Sequence, residues 1–308
     1  MHYLTMCCIV KDEEESYLRE WLCYHHAMGV EHFYVYDNES RIPLDGVLAD
    51  YIQAGWVNVF RMPGYGVQLY AYTHCLHYLS DKTRWMGFID LDEFILPSAQ
   101  RDLRVFLADY ETFGGLGINW LCYGSSGLTQ KPGPSQVEHF IHRTPSDFPD
   151  NRHIKSIIQP QHTIAPLSPH HFLYRDGFGC VNEHGTAVDG PFSENSTMKI
   201  RINHYFLRSS EQFQAKLDRG RATGLPKRPQ DQFARFDSAA TILDDCILEI
   251  WNPTTQELRA SLQPQNPGKN RFSHTPAGLP ADFQQPDQID TITIDTLHLC
   301  DQALKSMQ

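Results

Sequence analysis

The 308-residue chain has no excess of positive charge: 26 Lys and Arg stand against 37 Asp and Glu, a formal net charge of −11. A face that displaces counterions from a phosphate polymer must be basic, so nucleic acid is not an expected partner. Long hydrophobic runs are also missing. Leu4 to Val10 and Met86 to Ile89 are the longest, far below the roughly 20 residues of a bilayer span, so no integral membrane segment is expected. The first thirty residues carry Lys11 and Asp12 to Glu15 where a secretory signal would be apolar. The expected location is therefore cytoplasmic, with membrane association no more than peripheral, at the inner face. The eight cysteines form no C-x-x-C pair and lack the spacing of a disulfide framework; reduced, buried thiols are expected. His25-His26 and His170-His171 fit no H-E-x-x-H pattern. Neither G-x-G-x-x-G nor G-x4-G-K-[ST] occurs, since Gly64-Tyr65-Gly66 lacks the third glycine, which argues against a dinucleotide fingerprint and a P-loop.

What is present is an alternation. Tyr3 to Val10 is an apolar, β-favourable run. Leu18, Trp21, Leu22, His25 and Met28 follow at helical spacing, with Asp12 and Glu15 placed as a capping box and Gly29 as a stop. Phe33 to Tyr36, Val57 to Phe60 and Trp85 to Ile89 read as strands, and Leu44 to Ile52 and Val67 to Leu79 as helices. Strands alternating with helices predict an α/β fold with a mostly parallel sheet. After residue 100 the pattern turns to mixed α/β. Strands are expected at Leu116 to Cys122, Val137 to His142, Ile154 to Ile158 and Met198 to Phe206, and helices at Ser209 to Gly220, capped by Ser209 and Gln212, and at Phe233 to Trp251. A main domain over 1–225 and a C-terminal helix with a polar tail over 226–308, including a short helix at Thr296 to Leu304, complete the expectation.

The most informative stretch is Trp85-Met86-Gly87-Phe88-Ile89-Asp90-Leu91-Asp92-Glu93-Phe94. Ligands of open α/β sheets bind beyond the carboxyl ends of the strands, and an apolar strand that runs into Asp90 and Asp92 sends two carboxylates toward that edge. Such hard oxygen donors suit Mg²⁺ or Mn²⁺, which takes remaining ligands from substrate phosphates.

Several segments together resemble glycosyltransferase family 92 and the related family-2-like bacterial glycosyltransferases. They are Ile9-Val10-Lys11-Asp12-Glu13, the run from Tyr17 to His25, and the run from Gly29 to Ser40. The Trp85 to Phe94 strand resembles the family's Asp-x-Asp segment, and Tyr123-Gly124-Ser125-Ser126-Gly127 its aromatic-Gly-Ser-Ser-Gly loop. Ile202-Asn203-His204-Tyr205, with Ser209 and Lys216-x-x-Arg219-Gly220, resembles its closing motif. Asp12 departs from the family's Asn in a Lys-Asn-Glu triplet. The resemblance implies a GT-A fold, with a Rossmann-like nucleotide half joined to an acceptor half. It also implies metal-dependent transfer, with inversion, of a hexose such as galactose from a nucleoside diphosphate sugar to a glycan. A uridine diphosphate sugar is the expected donor, and a glycan of a cell-envelope or exported polymer the expected acceptor.

On that reading Asp90, Asp92 and His204 hold Mn²⁺ or Mg²⁺. Lys11, Asp12, Glu13, Asp37, Asn38 and Ser40 follow the first two strands and are the expected base and ribose contacts, with Gln68 and Tyr72 on the next helix, Leu91 in the acidic run, and Lys155 and Lys216, with Arg219, offsetting diphosphate charge. Trp120, Tyr123, Ser125 and Ser126 are the acceptor candidates. Inverting transfer needs a base within reach of the acceptor hydroxyl, for which the sequence offers Asp147, Asp150, Asp176, Glu183 and Asp189; Glu183 is the choice, with Asp92 also expected at the reacting centre. Two other classes compete. A haloacid-dehalogenase-type phosphatase would use Asp90 as nucleophile, with Asp244-Asp245 as a late acidic pair, and a carbohydrate-binding module would bind glycan without transfer.

Overall fold

Period-two burial in the first strand organises the molecule. In β1 (His2–Val10), Leu4, Met6, Cys8 and Val10 enter one core while Cys7 and Ile9 enter another, as expected of a strand covered on both faces. Helix α1 (Glu15–Ala27) covers the first face with Leu18, Trp21 and Leu22. Helix α4 (Gln68–Tyr78) covers the second with Ala71, Tyr72, Cys75 and Leu76. Between them lie β2 (His32–Asp37), two short helices α2 (Leu44–Val47) and α3 (Ala49–Gln53), and β3 (Val57–Arg61). The chain continues through β4 (Thr83–Phe88), β5 (Glu93–Pro97), α5 (Leu103–Leu107), β6 (Gly115–Cys122), β7 (His142–Arg143), β8 (Ile154–Ile158), β9 (Thr163–Pro166) and β10 (Phe172–Tyr174). It ends in β11 (Cys180–Val181), β12 (Ala187–Val188), β13 (Ile200–His204), α6 (Ser210–Arg219), α7 (Gln232–Ala239), β14 (Ile242–Leu243) and α8 (Leu248–Trp251). This computed structural model describes residues 1–220, 222–224, 229 and 231–251; the expected polar tail and the helix at Thr296 to Leu304 lie outside them.

The main sheet runs β12-β11-β6-β8-β4-β1-β2-β3. Strands β3, β2, β1 and β4 are mutually parallel, the Rossmann-like half. Strand β8 enters antiparallel beside β4, and β6 is antiparallel to β8. The carboxyl ends of β4 and β6 therefore share an edge with the amino end of β8. Strand β13 reaches the same edge, parallel to β6 and antiparallel to β5, where His204 is the register partner of Glu93. Among the described residues no helix is long and apolar enough to cross a membrane.

Four local expectations are corrected. The α1 capping box is absent: Glu14 is the N-cap, without a side-chain bond, because Asp12 has φ 49° and its carboxylate accepts from the Arg41 N–H instead. Leu44 to Ile52 is two helices rather than one. Val137 to Phe140 turns instead of extending, since the Gln136 N–H and the Ser135 hydroxyl are held by the buried Glu20 carboxylate and Phe140 N–H bonds back to Gln136 O. The helix from Phe233 breaks after Ala239, where Asp244 is captured by Arg143 at 2.6 Å and Arg201 at 2.7 Å and Ile242-Leu243 pairs with β7. The Ser209–Gln212 capping box forms as expected.

Glu183 is a strut of this fold. Its carboxylate, 2% exposed, accepts from the Ser196 hydroxyl at 2.6 Å and from the N–H groups of Met198, Lys199 and Ile200 at 2.7–2.8 Å, aligning the entry to β13. Burial raises its pKa, but these donors outweigh burial and hold it below the usual glutamate value. Such bonds to an ionised acceptor are each worth about 1.5–3 kcal/mol. Glu183→Gln is expected to destabilise the fold by about 2 kcal/mol at neutral pH, measured by urea unfolding. Because the folded pKa is depressed, this stability is complete above the unfolded value of about 4.3 and is lost as pH falls through the folded one. The wild-type and Glu183→Gln stabilities should accordingly converge in acid; a constant gap would contradict the role.

Candidate active site

A cleft of about 560 Å³ opens at the carboxyl ends of β1, β2 and β4, the edge where the sheet order leaves room for a ligand. Its floor is the acidic run. Asp90 Oδ2 lies 3.0 Å from Lys155 Nζ, and Oδ1 accepts from Gln68 Nε2 at 3.2 Å and from the Tyr72 hydroxyl at 3.5 Å. Glu93, fully buried, accepts from the Asp90 N–H at 2.8 Å and stands 3.6 Å from Lys155 Nζ. Burial, reinforced by the neighbouring Asp90 and Asp92, pushes the Glu93 carboxyl well above its usual range, against the pull of Lys155. Burial also disfavours charge on Lys155, yet Asp90 and Glu93 prevail and keep its ammonium protonated. Antiparallel β8 is what delivers Lys155 here.

Asp92 is paired with Lys216 of α6 through Oδ2, while Oδ1 faces His204 Nε2 at 3.7 Å. Burial opposes its ionisation, but Lys216 and His204 hold its carboxyl well below the usual range. Burial keeps the His204 imidazole below its ordinary pKa, Asp92 pulling the other way, and its Nδ1 has no hydrogen-bond partner among the described residues. A carboxylate oxygen and an imidazole nitrogen facing each other beyond hydrogen-bond distance suit a cation that takes both donor types, with further ligands from diphosphate and water. The fit is to this pair. Asp90 is engaged by Lys155, Gln68 and Tyr72 as Asp92 is by Lys216, and among the described residues no three metal-binding side chains converge.

The first loop is locked by charge. Glu13 bridges Arg208 at 2.7 Å and Arg219 at 2.6 Å, and Arg219 also donates to the carbonyls of Lys11 and Asp12. Burial raises the Glu13 pKa, but the two guanidiniums outweigh it and hold the carboxyl below the usual range. Lys11, Glu13, Asn38, Gln68, Leu91, Trp120 and Lys216 line the cleft together with Asp90, Asp92 and His204.

Other candidates do not reach it. Asp37 turns its carboxylate onto the N–H groups of Ser40 and Leu44, and Ser40 Oγ accepts from the Asp12 N–H, so Asp12, Asp37 and Ser40 build the loops rather than line the cleft. Asn38, though at the wall, donates to Met62 O and Gly64 O. Tyr72 and Lys155 act from beneath, through Asp90. Tyr123 is buried and donates to Asp244 O. Ser125 N–H donates to Asp237, and Ser126 Oγ accepts from Ile141 and His142 N–H, so this turn is a clasp rather than an acceptor surface. Glu183, spent on the Ser196 to Ile200 segment, lies outside the cleft. The phosphatase reading fails on the same ground: Asp244 is held by Arg143 and Arg201, away from the cleft, and Asp90 is bonded on both oxygens.

The cleft also contains Asp150, one of the carboxylates weighed as the base, and Tyr65, His153, His170 and Phe206, which sequence reasoning did not single out. For Asp150, His153 and His170 the signal was the missing helix between Cys122 and Ile154. Two strands without a helical crossover are antiparallel neighbours, which puts the residues just before Ile154 at the ligand edge.

The chain is similar to known glycosyltransferases. The sequence pattern of glycosyltransferase family 92 matches residues 2–174. A family 92 protein of Ricinus communis is 30% identical over 231 residues, 72% of this chain and 38% of that protein. A family 92 protein of Arabidopsis thaliana is 30% identical, with 72% and 38% covered. The galactan beta-1,4-galactosyltransferase GALS2 of Arabidopsis thaliana is 27% identical over 48% of this chain and 31% of its own length. Among solved structures, S. aureus TarS 1-349 in complex with UDP-GlcNAc matches with TM-score 0.35 and 12% identity over 51% of this chain and 45% of that one. The chain spans less than two fifths of the length of these curated relatives. With the family pattern extending over more than half of the chain, the protein belongs to glycosyltransferase family 92.

Proposed function

We propose that the cleft transfers a hexose, galactose, from a uridine diphosphate sugar to a glycan acceptor with inversion at the anomeric carbon. The observation that supports this most is the joining, at one sheet edge, of the Asp90–Asp92 run with Lys216 and Arg219 from α6. Paired acids and bases at the mouth of a Rossmann-like half suit a diphosphate better than a neutral sugar alone. A divalent cation, Mn²⁺ or Mg²⁺, when bound, supplies charge to a diphosphate leaving group, and Asp92 with His204 are the residues that would hold it.

The chain's own groups do the rest. Lys216, held between Asp92 and the Phe206 carbonyl, is placed to donate to a phosphate oxygen. Arg219 and Lys11 stand near the same wall. Asn38, Glu39 and Tyr65 form the β2 side, which suits a base and ribose, and Trp120 the β6 side, which suits a sugar. The named galactan galactosyltransferases among the relatives favour a galactose donor and a β-galactan-like, cell-envelope or exported acceptor. Residues 1–225 are the catalytic unit in this reading, working in the cytoplasm or peripherally at the inner membrane face.

Two outcomes test it. Calorimetry should give tighter binding of uridine diphosphate than of guanosine or cytidine diphosphate; the reverse preference would contradict the donor. Asp92→Asn should weaken Mn²⁺-supported uridine diphosphate binding by about 10- to 100-fold, the scale of lost metal-site groups, while circular dichroism remains native. Binding unchanged by this substitution, or by chelator, would contradict the metal-assisted reading.

A further inference from the structure

We propose that the proton of the acceptor hydroxyl is taken by an imidazole, Nε2 of His153, and not by a carboxylate. The inference rests on the transferase reading above and concerns the base that reading requires. Five carboxylates line the cleft: Glu13, Glu39, Asp90, Asp92 and Asp150. Four are committed to cations: Glu13 to Arg208 and Arg219, Asp90 to Lys155, Asp92 to Lys216, and Asp150 to Arg235 with both oxygens, at 2.6 and 3.1 Å. Glu39 accepts from the Gly64 N–H on the β2 side, across β1 and β4 from the residues that suit a sugar.

The wall around Trp120 is different. His153 stacks on the indole with ring centres 4.7 Å apart and planes 19° off parallel, and His204 meets the same indole at 4.2 Å. His153 Nδ1 lies 2.9 Å from Asp150 O. A carbonyl only accepts, so Nδ1 carries the hydrogen and the neutral ring keeps its lone pair on Nε2. No hydrogen-bond partner occupies that Nε2 among the described residues. Backbone bonds fix the ring's position: Trp120 N–H donates to His153 O, and His153 N–H to Asp150 O. Phe192 packs against its edge at 4.6 Å. A base held this way needs no reorganisation to meet a hydroxyl.

His170, 5.3 Å away, has the same tautomer, with Nδ1 donating to Ile154 O at 2.9 Å. It sits deeper, and burial, with Lys155 adding to it, drives its pKa down to about 3, so it holds a proton poorly. The hydroxyl proton passes to His153 Nε2 as the oxygen bonds to the anomeric carbon. The bond from that carbon to the diphosphate oxygen breaks, the electron pair leaving with the diphosphate, and the imidazolium returns its proton to water.

The test uses the full chain and the first pair that wild type turns over among uridine, guanosine and cytidine diphosphate hexoses with galacto-oligosaccharide acceptors. His153→Ala is expected to lower kcat by at least about 100-fold, the scale of a lost general base. Calorimetric binding of the nucleoside diphosphate should stay within a few-fold of wild type, and added imidazole should restore part of kcat. If His153→Ala does not fold, His153→Gln replaces it, with the same loss expected and without rescue. A His153 variant with near-wild-type kcat, or parallel losses of nucleotide binding and kcat without rescue by imidazole, overturns the assignment while leaving the transferase reading intact. A wild type that binds no nucleoside diphosphate and turns over no donor overturns both.

Discussion

The structure depends on how buried carboxylates at the end of β4 are balanced. A buried charge is tolerated only when paired and hydrogen-bonded, and here the compensation comes from distant chain segments. Lys155 arrives on β8 beneath Asp90 and Glu93, Lys216 arrives on α6 beside Asp92, and Arg208 and Arg219 close on Glu13. These pairs join the parallel half of the sheet to the later half. They also define a cleft whose floor is acidic and whose rim carries Lys11, Lys216 and Arg219.

The same balance explains which polar residues face the ligand. Asp37, Asn38, Ser40 and Asp12 follow strand ends, as nucleotide-binding residues do, yet the loops they occupy contain backbone N–H and carbonyl groups that need partners. Around the left-handed Asp12 and Glu39 the N–H groups of Asp12, Ser40 and Arg41 are taken by Ser40, Asp37 and Asp12 side chains of the loops themselves, while the Lys11 and Asp12 carbonyls are taken by Arg219. Ordering the loops and contacting a ligand compete for the same carboxylates and amides, and Asp12, Asp37 and Ser40 are given to the loops.

The first half of the fold was legible because period-two and helical burial coincide with it: β1 to β4, α1 and α4 stand where the apolar pattern put them. Asp90, Asp92 and His204 at one edge were legible through motif order, although Asp90 then pairs with Lys155 instead of joining His204. What the apolar pattern by itself does not carry is strand direction after residue 100, for which the signal was the missing helix between Cys122 and Ile154. Ile154 to Ile158 has the same apolar character in either direction, and only its antiparallel pairing brings Lys155, His153 and His170 to the cleft. Glu183 was misjudged for a related reason. A carboxylate after a strand looks alike whether it faces substrate or, as here, three consecutive backbone N–H groups that no local element satisfies.

Every role proposed for these residues rests on glycosyl transfer from a nucleoside diphosphate sugar in this cleft. The most direct measurement follows nucleotide release and the anomeric configuration of the product by nuclear magnetic resonance, using uridine diphosphate galactose with and without a β-1,4-galacto-oligosaccharide. Acceptor-dependent release of uridine diphosphate is expected, with a product whose new linkage has the anomeric configuration opposite to the donor's. Release without an elongated product, or a product that retains the donor's configuration, would contradict this reading.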